Sequence, residues 1–189
     1  MGRRPGQSRQ RMLDSAIALL RERGASGVSI DAVLAHSGAP RGSVYHHFPG
    51  GRNELITGAV GQAGEFIGGL IDQATADGDP RAALGGFVAF WKQSLLRSDY
   101  RAGCPVVALA VDNREDLPEA AELVREIFAR WHGKLRDLLV GGGIPADRAH
   151  RLATLAVAAI EGAVILCRAE RDSAPLDDVV TEIAPLFGS

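Results

Sequence analysis

Cysteine is nearly missing from this chain: its 189 residues include two, Cys104 and Cys167. Their separation matches no zinc spacing and no CxxC pair. A chain that is 46% hydrophobic needs no single disulfide to hold its core, so a reducing cytoplasm is the expected compartment. No long apolar stretch follows the N-terminal arginines, as a signal peptide would require. The most apolar run, Leu152 to Cys167, is interrupted by Glu161 and is short for a bilayer. No segment alternates as a strand does. No nucleophile–base arrangement, metal motif or phosphate-binding loop appears, and Gly50-Gly51 and Gly141-Gly142-Gly143 read as helix stops. Together these absences argue against a disulfide scaffold, a membrane protein, a β fold and an enzyme, and they leave neither cofactor nor metal to be expected.

What is present is unevenly charged. The net charge of −2 divides into +4 over residues 1–55, with eight Arg against four acids, and −6 over the remainder. A basic end on an acidic body points to a local polyanion site.

The apolar spacing is helical throughout, and predicts an all-α chain of about nine helices. Leu13, Ala16, Ile17 and Leu20 face inward on a first helix that stops at Gly24. Ser29 caps a short second helix that Gly38 ends. A third starts at about Arg41, with Val44 and Phe48 as anchors, and Pro49-Gly50-Gly51 closes it. Longer helices follow: about 53–74, one opened by Asp79-Pro80, and a brief, wholly apolar piece after Pro105, Val106 to Val111, that should be buried. Three more open at Pro118, Pro145 and Pro175. The domain division expected is 1–52 and 53–189.

Residues 29–48, SIDAVLAHSGAPRGSVYHHF, have the layout of a helix-turn-helix. The second of its helices must project side chains into the major groove while its back face stays packed. With Val44 and Phe48 filling the back, Arg41, Ser43, Tyr45 and His46 face outward beside Pro40. Gly42 leaves room for close approach. Arg41 suits guanine, whose O6 and N7 a guanidinium can bind together. Ser29, Tyr45 and Arg52 suit phosphates, which set register without reading sequence. Arg3, Arg4, Arg9 and Arg11 form either a DNA-touching arm or a loose tail. His36, His46 and His47 lack the Cys or acid that would complete a metal site.

From V-S-I-D-A-V-L-A-H-S-G-A-P-R-G-S-V-Y-H-H-F at 28–48, with R-E-R-G before it and E-L-I after, the chain resembles the TetR family of regulators. Phe48 to Leu55 is one residue longer than the commoner family form. G-C-P-V-V-A-L-A-V-D at 103–112 and A-A-I-E-G-A at 158–163 are similar to the lincomycin-resistance-repressor branch. The resemblance implies three helices for DNA and a larger body that encloses a small-molecule pocket and makes a dimer. The implied function is a repressor that binds double-stranded operator DNA and is released by a small, largely apolar effector.

The large or soft side chains that could line such a pocket are Phe66, Phe87, Phe90, Trp91, Cys104, Phe128, Trp131 and Cys167, each equally readable as core. Glu161 is the one acid embedded among them, facing an effector, solvent or a partner subunit. Leu152, Ala156, Ala159, Ala163 and Cys167 make a stripe on the eighth helix. With the ninth, it suggests a homodimer through about 146–171 and 175–187. Two rival functions stay open: a thiol-based redox regulator using Cys104 and Cys167, and a helical adaptor that binds protein alone.

Overall fold

The computed structural model describes residues 5–112 and 117–188, which form nine α-helices and two 3₁₀ turns without a strand. The helices are α1 (Pro5–Arg23), α2 (Ile30–Ser37), α3 (Ser43–His47), α4 (Gly51–Thr75), α5 (Pro80–Arg97), α6 (Pro105–Asp112), α7 (Pro118–Gly141), α8 (Ala146–Glu170) and α9 (Ala174–Ile183). Ala25–Gly27 and Ala184–Phe187 are the 3₁₀ turns. Arg3 and Arg4 lie outside the described residues.

Cα packing separates two compact units, one running to Glu65 with Cys104–Glu126, the other Phe66–Gly103 with Ile127 onward. In the first, Met12, Leu20, Val33, Val44, Phe48, Leu55 and Ile56 are buried together. Each large side chain so removed from water contributes about 1.5–3 kcal/mol. The local signals account for the elements. Ser29 Oγ accepts from the Ala32 N–H at 3.1 Å, and Gly38 ends α2 in the left-handed region at φ 63°. The extra residue after Phe48 is absorbed where Gly51, at φ 64°, donates its N–H to the Phe48 carbonyl at 2.8 Å.

The piece after Pro105 is only half buried, against expectation. Val106 and Leu109 face inward, toward α1 and the first 3₁₀ turn, while Val111 is 74% exposed. A helix has two sides, and an apolar sequence does not decide how many of them are covered. Asp112, at its end, accepts from the Ser26 N–H at 3.1 Å.

In the second unit α8 is central. Its buried face carries Leu152, Ala156, Ile160, Ala163, Val164 and Cys167. These include four of the five residues expected at a dimer seam, and they serve the protomer's own core instead. The apolar side left open holds Leu155, Ile165 and Leu166. The helix is apolar nearly all round, and moving one position rotates a stripe by about 100°. By length and composition alone α8 could cross a membrane, which the shorter run from 152 to 167 did not suggest. Its apolar length is spent here on core packing and on that open face.

Candidate functional site

The first unit presents α3 as a short, tightly backed helix. Val44 and Phe48 are fully buried beneath it, and Tyr45, 64% exposed, stands out from it together with His46. The helix begins at Ser43, two residues later than expected, because Pro40–Gly42 form the turn leading into it. Ser43 Oγ donates to the Pro40 carbonyl at 2.6 Å, closing that turn. A Cβ on Gly42 would meet nothing within 4 Å, and its φ of −67° suits any residue. Packing within the chain therefore does not demand glycine there.

Arg41 and Arg52, both expected at DNA, are placed very differently. Arg41 is exposed at the turn, and one of its terminal nitrogens lies 2.9 Å from Asp31 Oδ1 on α2. That pair costs little to open, since both side chains are in solvent. Arg52 is half-buried and turned inward. Its Nε donates to the Val28 carbonyl at 2.6 Å and a terminal nitrogen to that of Ala25 at 2.7 Å. It clasps the 3₁₀ turn to the start of α4. Of the N-terminal arginines described, Arg9 lies over the Phe48 ring at 5.2 Å, and Arg11 bonds back to Gln7 and Ser8 on α1. Pro40 and Ser29 are exposed, with the Ser29 hydroxyl occupied as the α2 cap. His36 Nδ1 pairs with Ser15 Oγ at 3.0 Å. Among the described residues, no group of three or more His, Cys, Asp or Glu is placed to hold a metal ion.

The second unit contains a small, mostly apolar cavity of about 40 Å³. Helix α4 contributes Ile71, Ala74 and Thr75; α5 contributes Pro80, Ala83, Leu84 and Phe87. The opposite walls come from Trp131 and Leu135 of α7, then Ala156, Val157, Ile160 and Glu161 of α8, with Phe187 at the end. Three of the expected pocket residues are therefore brought together: Phe87, Trp131 and Glu161. The other six are not in its lining. Phe66 is exposed, with its ring 5.9 Å from that of Phe90. Trp91 is buried against Phe87 and Phe90, and Phe128 packs edge-on to Trp131 at 5.4 Å. Sequence reading missed the small residues Ala74, Ala83 and Ala156. The available signal was alanine at inward positions of several helices, because short side chains are what leave room.

Cys104 and Cys167 are both buried and unpaired with each other. Burial pushes the Cys167 thiol up, away from the reactive thiolate.

Comparison with known proteins agrees with this architecture. Residues 12–57 match the family of bacterial regulatory proteins of the tetR type. Residues 80–182 match the C-terminal domain of LmrA/YxaF-like transcriptional regulators. The chain is 42% identical over 184 residues to an uncharacterised HTH-type transcriptional regulator of Mycobacterium tuberculosis, covering 95% of this chain and 93% of that protein. It is 30% identical over 172 residues to the HTH-type transcriptional regulator LmrA of Bacillus subtilis, covering 90% and 92%. In fold it is similar to the regulatory protein TetR from Rhodobacter sphaeroides, with a TM-score of 0.86 at 24% identity over 95% of this chain and 98% of that one. With the helix-turn-helix, the all-helical body and both family regions in one chain, this protein belongs to the TetR family of transcriptional regulators, in its LmrA/YxaF-like branch.

Proposed function

We propose that the chain is a cytoplasmic repressor that grips a pseudo-palindromic operator as a homodimer and lets go when a small, largely apolar effector fills the cavity. Residues 1–52 read DNA, and 53–189 bind the effector and dimerise. The observation that carries the reading is the outward face of α3 with the turn leading into it: Arg41 on the turn and Tyr45 and His46 on the helix are exposed, while Val44 and Phe48 hold it from behind. Ser29, Pro40, Gly42 and Ser43 shape the approach to that face. Arg41 reads a base after leaving Asp31, and Tyr45 sets register on a phosphate. Arg52 positions α4 rather than touching DNA.

The dimer forms through the open side of α8, with Leu155, Ile165 and Leu166, and through Leu186 beyond α9, all exposed in the single chain. Gly162 and Ala158 lie on the same side and permit close helix approach. Effector binding acts by favouring a dimer state whose α3 helices no longer match the half-site spacing.

The test is to select genomic fragments with the purified protein near physiological salt and sequence them. A recovered pseudo-palindrome supports the reading, and the neighbouring genes narrow the effector class. A protein stripped of ligand by refolding that still enriches no duplex would leave the adaptor reading in its place.

A further inference from the structure

Resting on the cavity as the effector site, we infer that Phe187 plugs it, and that the effector carries an aromatic ring that binds by taking the place of the Phe187 ring. The cavity measures about 40 Å³, room for a few waters. An apolar hole that accepts benzene measures about 150 Å³. A ring therefore enters only where a wall gives way. Thirteen of the fourteen lining residues lie on α4, α5, α7 and α8, helices of 18 to 25 residues. The fourteenth, Phe187, ends the 3₁₀ turn Ala184–Phe187, and it is 5% exposed.

That turn is the wall most easily moved. Short 3₁₀ turns have poorer hydrogen-bond geometry than α-helices, and Pro185 within this one has no N–H to donate. It is tied to α5 by a hydrogen bond from Arg81 Nε to the Ala184 carbonyl at 3.1 Å, with the arginine in solvent. Such a bond is readily exchanged for one to water. The buried ring is therefore the main hold, and a ligand ring in the same space restores the apolar burial that Phe187 gives up. Phe87 and Trp131 stay in the lining, and aromatic neighbours favour a planar ring over a saturated one. The turn also faces two ways. Leu186, next to the plug, is 36% exposed and belongs to the dimer surface proposed above, so expelling the ring disturbs that surface.

The experiment titrates the full chain with phenol and with cyclohexanol, alike in size and hydroxyl, by calorimetry, with operator release measured in parallel. The chain carries 4-fluorophenylalanine, and Phe187→Leu assigns the fluorine resonance of Phe187. Phenol is expected to bind about threefold or more tighter than cyclohexanol, and to move the Phe187 resonance to the position of a solvent-exposed ring. Phe187→Ala, whose site is already unplugged, should bind phenol at least about tenfold tighter than the unaltered chain. A Phe187 resonance that stays in place at saturating phenol would overturn the inference, and it decides alone should Phe187→Ala not fold. So would an affinity for phenol that Phe187→Ala leaves unchanged, or failure of both probes to bind at millimolar concentration. Cyclohexanol binding as tightly as phenol removes the aromatic class. If phenol releases the operator with the Phe187 resonance unmoved, the effector site stands and the plug falls. If phenol displaces Phe187 without releasing the operator, the plug stands and the effector reading falls.

Discussion

The two units solve opposite packing problems. In the first, the space under α3 is filled by Phe48 and Val44, and polar side chains are spent on caps and clasps: Ser29 on α2, Ser43 on the turn, Arg52 on two carbonyls. In the second, alanines on α4, α5 and α8 leave a hollow, with one acid in its wall. A DNA-reading helix must hold its side chains in a fixed frame, so every local freedom is removed. A ligand site must keep unfilled volume, which gives up contact energy to retain room.

The largest expected effect tests that contrast directly. Phe48→Ala should lower unfolding stability by about 3–5 kcal/mol, because a fully buried ring leaves a cavity that the short helix cannot close. Ala156→Val, which adds volume at the hollow, should cost less than about 1 kcal/mol. Denaturant melts of the two variants give the comparison. Equal losses would mean that the second unit is as tightly filled as the first.

Next in size is Arg52→Ala. Removing a guanidinium that serves the Val28 and Ala25 carbonyls should cost about 2–3 kcal/mol of stability. The slope of operator affinity against salt should not change, since no phosphate contact is lost. A flattened slope at unchanged melting temperature would return Arg52 to the DNA backbone.

Arg52 also marks how far sequence carries. Nearly everything needed to place α2 and α3 lies within twenty-odd neighbouring residues: the cap at Ser29, the stop at Gly38, and the i,i+4 pair Val44 and Phe48. Such signals act over one or two turns, so they can be read directly. Where Arg52 points depends on carbonyls 24 and 27 positions away, brought near by folding. The cavity is less legible still. Its walls come from four helices and a terminal turn, and two of the aromatic residues read as possible ligand contacts, Phe90 and Trp91, pack against one another instead. On α8 the sequence offers two apolar sides, and spacing alone does not tell which of them meets the core.

Arg41→Ala follows, with an expected loss of about 1–3 kcal/mol on the operator and relaxed selectivity at one base pair. The ion pair with Asp31 sharpens this. Asp31→Asn frees the guanidinium and should tighten binding by no more than about 1 kcal/mol, because the pair is solvent-exposed on both sides. Electrophoretic shifts on single-base operator variants would separate the two effects. A wild-type affinity for Arg41→Ala would move the base contact from the turn onto α3 itself.

The smallest effect is a pH response in the second unit. His132 on α7 holds Thr154 Oγ1 at 2.6 Å, and its ring centroid lies 4.6 Å from that of His150 on α8. Burial, and then the charge of His150, hold its imidazole below the ordinary value of 6.5. The unfolded chain therefore takes up this proton first as pH falls. Stability should decline from 6.5 downward until the folded chain is protonated too, and flatten below that. Both tryptophans, Trp91 and Trp131, belong to the second unit, so their fluorescence reports its unfolding. His132→Gln keeps a polar group near Thr154 and removes the titration. The decline between neutral pH and about 5.5 should then become shallower in the tryptophan signal. If wild type and variant melt with the same pH slope, the two histidines are solvated well enough that their pairing does not bear on the stability of this unit.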